Sequence, residues 1–256
     1  MAKVKILIEG HTNADRLLKG GAEHTCPTIT LVQDQEIIMV VDPGVLDSQQ
    51  LLIDALAKEN LTLEDVNMVC LTHSHLDHYR NVGMFPQAKV LEYFGIWDGG
   101  SVEDWQEHFS NDIQIVKTPG HDQTGITLFV KTDQGVVAIC GDVFWKKDMP
   151  EVDPYASDPK KLQRSRELVL KMAQWVVPGH AGMYKIRSNG SAKRPLASQS
   201  ALTKARGTLL GACRSCHRPF NKLIDRCLCQ EWLCYKCCEC DDSCLACNCA
   251  HHKKGR

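Results

Sequence analysis

The stretch VCLTHSHLDHYRN, residues 69–81, sets three imidazoles (His73, His75, His78) and one carboxylate (Asp77) within six residues. It follows directly on an apolar run, Val66 to Leu71, that reads as a strand. Imidazole nitrogen and carboxylate oxygen are ligands that suit zinc or iron. Four such side chains exceed what one open catalytic metal takes from a protein, so the segment anticipates two metals a few ångströms apart. A histidine-rich surface loop would not be followed by the same ligand types at later strand ends, and here it is. His121 stands in TPGHDQTG, Asp142 in AICGDVFW and His180 in VVPGHAG. Each sits beside a glycine (Gly120, Gly141, Gly179) that permits the tight turn needed to aim a side chain back at one rim.

Around this motif the body alternates strands and helices. Lys3 to Glu9, Thr28 to Gln33 and Glu36 to Val41 read as strands, the last two joined by a turn near Asp34-Gln35. Further strands are expected at Lys89 to Phe94, Ile113 to Lys117, Ile126 to Lys131, Val136 to Cys140 and Trp175 to Val177. Ser48 to Glu59 carries Leu51, Leu52 and Leu56 at helical spacing. A second helix starts at Asp158-Pro159, a capping residue followed by a proline pre-set for the first helical position. It runs to about Gln174 and buries Leu162, Val169, Met172 and Ala173. Helices fall between groups of strands, which predicts an α/β fold of two packed sheets with helices outside.

The 256 residues are 43% hydrophobic and 24% charged, ordinary for a globular protein with a full core. The apolar runs are strand-length, and the chain opens without a signal-peptide pattern, so the expectation is a cytoplasmic protein without a membrane. A net charge of −1 argues against electrostatic capture of nucleic acid by the whole surface.

Of 14 cysteines, only Cys26, Cys70 and Cys140 precede residue 210. The others crowd the tail in close pairs: Cys213 with Cys216, Cys227 with Cys229, Cys234 with Cys237, and Cys244 with Cys247. Cys238, Cys240, Cys249 and His217 stand beside them. In a cytosolic chain this spacing reads as structural zinc, about two ions in tetrahedral sites, rather than disulfides. The order resembles cross-brace fingers, although the gap from Cys229 to Cys234 departs from the common RING spacing. Three parts are therefore expected: a catalytic body over 1–187, a basic polar linker over 188–210 and a cysteine-rich zinc-binding module over 211–256. Arg214, Arg218, Lys222 and Arg226 equip the module to bind RNA backbone or a protein.

HxHxDH followed by a lone His, a lone Asp and a lone His resembles the metallo-β-lactamase fold superfamily, over residues from about 3 to 187. Asp42-Pro43-Gly44 resembles its first motif, whose Asp supports the metal loop. The resemblance implies an αββα sandwich with the site along one edge. It implies one metal on His73, His75 and His121 and another on Asp77, His78 and His180, with Asp142 bridging. GDVFW and the stretch from Ser157 to His180 resemble one group within it, the metallo-β-lactamase domain-containing protein 1 group. That resemblance implies RNA endonuclease activity.

The expected chemistry is water attack. Two divalent metals (zinc, iron or manganese) make hydroxide available near neutral pH, and Asp77 and Asp142 act as the catalytic carboxylates. RNA is the expected substrate. A small thioester, lactone or β-lactam is the alternative, and a non-catalytic adaptor working through the zinc tail is the reading from another class. His11, His24 and Tyr184 are candidates to protonate a leaving oxygen, and Lys146-Lys147 to meet a phosphate. A homodimer is compatible with the chain. Flavodiiron-type oxidoreductases place Glu where this chain has His75, whereas sulfur dioxygenases share HxHxDH with a single iron.

Overall fold

Period-two alternation along the strands builds the molecule. Along Ile37–Val41, Met39 and Val41 enter one apolar cluster and Val40 another. Along Gly135–Ile139, Val137 and Ile139 go one way and Ala138 the other. A strand buried on both faces must lie between two apolar layers. The computed structural model describes residues 1–14, 21–147, 150–186, 211–212 and 219–220. The expected linker over 188–210 and the paired tail cysteines lie outside the described residues.

The chain divides into two units, Met1–Arg187 and Ser188–Arg256. In the first, a seven-stranded sheet runs in the order β1 (Lys3–Ile8), β4 (Ile29–Asp34), β5 (Ile37–Val41), β6 (Met68–Cys70), β7 (Lys89–Glu92), β8 (Gly95–Asp98), β9 (Ser101–Glu103). A five-stranded sheet runs β10 (Ile113–Lys117), β11 (Ile126–Thr132), β12 (Gly135–Ile139), β13 (Trp175–Val177), β14 (Tyr184–Lys185). The central pairs β5–β6, β6–β7 and β12–β13 are parallel, and the others in these sheets are antiparallel. A two-residue ladder joins β2 (His11–Thr12) to β3 (Thr25–Cys26). In the second unit β15 (Gly211–Ala212) pairs antiparallel with β16 (Pro219–Phe220).

Between the sheets, Val32, Met39, Cys70 and Leu91 of one meet Ile115, Leu128, Ile139 and Val177 of the other. Outside the first sheet α1 (Gln50–Lys58) packs Leu52 and Leu56 on Val40 and Val69. Outside the second, α3 (Pro159–Met172) packs Leu162 and Val169 on Phe129, Ala138 and Val176. The layers are α, β, β, α, a metallo-β-lactamase-type arrangement.

α3 begins where the sequence places it: the Asp158 side chain accepts from the backbone N–H of Lys160 and Lys161, each at 3.0 Å, and Pro159 occupies the first turn. It ends at Met172 rather than Gln174, and its buried face includes Ser165 and Arg166, which the apolar pattern omits. α1 starts at Gln50, after Ser48, whose hydroxyl accepts from the Gln50 N–H at 3.2 Å. The expected strand over Lys89 to Phe94 stops at Glu92, because Tyr93 and Phe94 turn the chain into β8, which pairs back on β7. β8 and β9, of four and three residues, form a hairpin around Gly99-Gly100.

Leu128 is fully buried between the sheets. Leu128→Ala should therefore lower unfolding free energy by about 2–5 kcal/mol in a denaturant titration. A loss below about 1 kcal/mol would show that the two sheets do not share a tightly packed interior there.

Candidate metal centre

The site forms along the rim where strands of both sheets end. β5 delivers Asp42 beside the end of β6, and the Asp42 N–H donates to the Cys70 carbonyl at 2.9 Å. Asp42 adopts φ +50°, a left-handed conformation that Asp tolerates better than most residues. Its buried carboxylate accepts from the Thr72 N–H at 2.8 Å, the Thr72 hydroxyl at 2.7 Å and His78 Nδ1 at 2.9 Å. One side chain thus clamps the histidine motif at both ends. Between those ends His75 is extended (φ −82°, ψ 137°), and the single turn α2 (Leu76–Tyr79) carries Asp77 and His78.

The other ligand candidates arrive from the second sheet. His121 follows β10, Asp142 lies in a 3₁₀ turn (Gly141–Val143) after β12, and His180 follows β13. At Gly120, φ is +135° and a Cβ would overlap the Leu162 backbone, so only glycine lets this loop lie against α3. At Gly179 a Cβ would overlap the Asp142 carboxylate. The Gly179 and His180 N–H groups donate to the carbonyls of Phe144 and Trp145, each at 2.8 Å, which locks the His180 loop to the Asp142 turn.

All seven candidates converge. His73, His75, His121 and Asp142 form one group whose ligand atoms lie within 4.8 Å of one another, and Asp77, His78 and His180 form a second. Asp142 reaches both: Oδ2 is 3.3 Å from His121 Nε2, and Oδ1 is 3.2 Å from His180 Nε2. Asp77 Oδ2 lies 3.7 Å from His180 Nε2 and 3.8 Å from His78 Nε2, and accepts from the Thr25 hydroxyl at 3.1 Å.

Outer hydrogen bonds assign the tautomers. His78 donates from Nδ1 to Asp42, His121 from Nδ1 to Asp153 Oδ2 at 2.6 Å, and His180 from Nδ1 to the Cys26 carbonyl at 3.0 Å. The Thr72 hydroxyl, already donating to Asp42, accepts from His73 Nδ1 at 3.1 Å. Nε2 of each of these four rings therefore turns inward with a lone pair. His75 turns its Nδ1 inward instead, 3.1 Å from His73 Nε2 and 3.0 Å from His121 Nε2. Its Nε2 faces Asp122 at 3.8 Å.

Lone pairs facing one another at such distances repel unless cations lie between them. His78 Nε2 and Asp142 Oδ1 are buried, 3.5 Å apart, and neither has a hydrogen-bond partner, a costly state that bound cations would relieve. The rings fall into two sets by titration. Burial lowers the pKa of His73 and His75, the first strongly, which keeps them neutral and ready to ligate. Burial also works against charge on His78 and His180, but the carboxylates outweigh it: Asp42 and Asp142 for His78, Asp142 for His180. Both end above the usual imidazole range. Burial would raise Asp142, yet His180 and His78 hold it well below the carboxylate range. The donor set fits divalent metal.

Several supporting residues carry no local signal in the sequence. Asp153, 32 residues after its partner His121, is one. Arg166 is another: it donates from Nε to the Val143 carbonyl at 3.0 Å and from Nη1 to the Glu151 carbonyl at 3.3 Å, tying the Asp142 turn to the Asp153 loop. The Cys26 backbone carbonyl could not be singled out by residue type at all. His11, His24, Tyr184 and the Lys146-Lys147 pair are not among the described residues lining the cavity over the site.

Fold and site together define a metal-dependent hydrolase. The family model described as Metallo-beta-lactamase superfamily matches residues 27–101, the span that holds Asp42 and the histidine motif. "Metallo-beta-lactamase domain-containing protein 1" of Xenopus laevis is 28% identical over 197 residues, 73% of this chain and 83% of the relative. Its Mus musculus namesake is 35% identical over 158 residues, 58% of this chain, and the match spans 61% of that relative's length. The crystal structure of a putative metallo-beta-lactamase from Thermotoga maritima superposes with a TM-score of 0.57 at 20% identity, covering 72% of this chain and 99% of that one. The chain is a metal-dependent hydrolase, matched by the Metallo-beta-lactamase superfamily model over residues 27–101 and similar to the domain-containing protein 1 relatives.

Among the described residues no helix is long and apolar enough to cross a membrane. Cys26, Cys70 and Cys140 are free and buried.

Asp153→Ala should weaken metal binding about 10- to 100-fold, measured by competition with a chromophoric chelator, because His121 loses the partner that fixes its tautomer. Unchanged affinity would remove Asp153 from the metal centre. Burial, then Asp47 and Asp77, push the Cys26 thiol up to about 11. In the folded protein Cys26 should thus resist iodoacetamide at about pH 8.5, where an ordinary cysteine is half ionised. Ready labelling, located by peptide mapping, would contradict that environment.

Proposed function

We propose that the protein is a binuclear metal-dependent phosphodiesterase that cleaves RNA. The observation that carries the binuclear reading is the position of Asp142, whose two carboxylate oxygens lie within 3.3 Å of ligand atoms from both groups. His73, His75 and His121 would hold one ion, Asp77, His78 and His180 the other, with Asp142 shared. Ions bound there would supply hydroxide from water near neutral pH and polarise the electrophile. The support for RNA is the resemblance of Gly141 to Trp145 and of Ser157 to His180 to the domain-containing protein 1 group.

The chain's own residues do the positioning. Asp42, Thr72, Asp153 and the Cys26 carbonyl fix four imidazoles, so that little reorganisation is needed when charge develops on the reacting group. Thr25 orients Asp77 by donating to Oδ2, and the Asp77 carboxylate would accept a proton from the attacking water. Trp145 is buried edge-on to His121 and keeps bulk water from that side. The adaptor reading has no use for seven converging ligands. The cysteine-rich module over 211–256, with its zinc, is proposed as a recognition element for RNA or a protein, and cytoplasmic residence is the matching expectation.

A substrate panel tests the reading: labelled RNA, single-stranded DNA, a thioester and a chromogenic cephalosporin, each with and without chelator. RNA should be cleaved, chelator should stop it, and Asp142→Ala should abolish turnover while the protein stays folded. Turnover of the thioester or cephalosporin with RNA untouched would move the assignment to small-molecule hydrolysis.

A further inference from the structure

A cavity of about 350 Å³ opens over the metal centre, within the range of small-ligand sites. His75, Asp77, His121, Asp142 and His180 line it from the metal side. Glu23, Trp145 and Tyr155 line it elsewhere, and the postulated reaction leaves Glu23 and Tyr155 unused.

These three residues form one unit. Trp145, 2% exposed, stacks on Tyr155 with ring centroids 5.7 Å apart and planes 27° from parallel. It also meets His121 at 6.1 Å and 89°. The Tyr155 N–H donates to Asp153 Oδ1 at 2.9 Å, and the other oxygen of that carboxylate holds His121. The aromatic pair is thereby fixed relative to a metal ligand. Tyr155 nevertheless remains 51% exposed, with Trp145 stacked against one ring face. Its hydroxyl crosses 132 residues of sequence to donate to Glu23 Oε2 at 2.9 Å. Glu23 stands just before β3, so this bond clasps the β2–β3 arm to the loop that precedes α3. It orients the carboxylate while leaving lone pairs on Oε1.

A half-exposed aromatic ring with a carboxylate at its edge matches a flat ligand that carries adjacent donors on one side. Unstacked RNA bases are recognised in this way, by stacking and by hydrogen bonds to an exposed edge. Among the four bases, guanine alone sets two donor groups next to each other, N1–H and the N2 amino group. In adenine and cytosine the amino group sits beside a ring nitrogen lone pair, and in uracil N3–H lies between two carbonyls, so a carboxylate meets repulsion at each.

Resting on the RNA reading above, we propose that Glu23, Tyr155 and Trp145 form a base subsite that selects guanine beside the scissile phosphodiester. Glu23 reads the base edge, Tyr155 stacks on it, and Trp145 holds Tyr155 in place.

The test uses the full-length, metal-loaded protein and short RNAs that differ in a single base beside the cleavable bond. Guanine should be preferred about 10- to 100-fold in kcat/KM, the discrimination of a good bidentate contact. Glu23→Gln, which can still accept from Tyr155 but opposes a donor to the base, should erase the preference. Tyr155→Leu should raise KM for all four bases roughly tenfold or more through lost stacking. Metal content serves as the folding control for both variants. RNA cleavage without base preference, or a preference that survives Glu23→Gln, would overturn the subsite and leave the RNA reading standing. Failure to cleave any RNA would sink that reading, and calorimetric binding of the four nucleoside monophosphates would then decide the subsite alone. Tighter binding of guanosine monophosphate, lost in Glu23→Gln, would uphold it; equal binding of all four would overturn it.

Discussion

The buried Asp42 carboxylate is the constraint on which the rest of the centre depends. It stands at the end of β5 and takes three hydrogen bonds from the adjoining motif, two from Thr72 and one from His78. A carboxylate in a buried place needs such partners, because an unsatisfied charge there is strongly unfavourable. The partners in turn need it: Thr72 passes the orientation to His73, and His78 has its tautomer set directly. One hydrogen-bonded hub thereby converts a strand end and a single helical turn into two aligned ligand groups.

The second sheet contributes by a different route. His121, Asp142 and His180 lie on three separate loops, and the backing of α3 brings them into register. Leu162 abuts Gly120, Ser165 donates to the Pro119 carbonyl at 2.8 Å, and Arg166 bonds the Val143 carbonyl beside Asp142. A helix whose exposed face is charged and whose inner face carries a serine and an arginine acts here as a template for loops as well as a cover for the sheet. The polar inner residues fit that task, since loop carbonyls left unpaired against an apolar helix would be costly.

Much of this is legible in the sequence, for a physical reason. Ligand types beside glycine at the ends of apolar runs report both the strand and the turn that follows it, so His121, Asp142 and His180 can be placed on one rim before any contact is known. Two packed sheets with outer helices follow from alternation and from the cap at Asp158. The supporting shell is less visible. Asp153 and Arg166 act through pairings distant in sequence, Cys26 acts through a backbone carbonyl, and Glu23 and Tyr155 meet across 132 residues. Residue type says little about any of these until the fold joins them. Arg166 in particular reads as a solvated charge on an amphipathic helix, whereas the structure buries it.

Under the binuclear proposal, seven side chains from both sheets hold two metal ions that share Asp142. Anomalous diffraction from crystals of the metal-loaded protein, collected at the absorption edge of the bound metal, addresses it most directly. Two peaks are expected within the cluster, one against His73, His75 and His121 and one against Asp77, His78 and His180, with Asp142 between them. A single peak confined to one group, or none at the cluster, would contradict it.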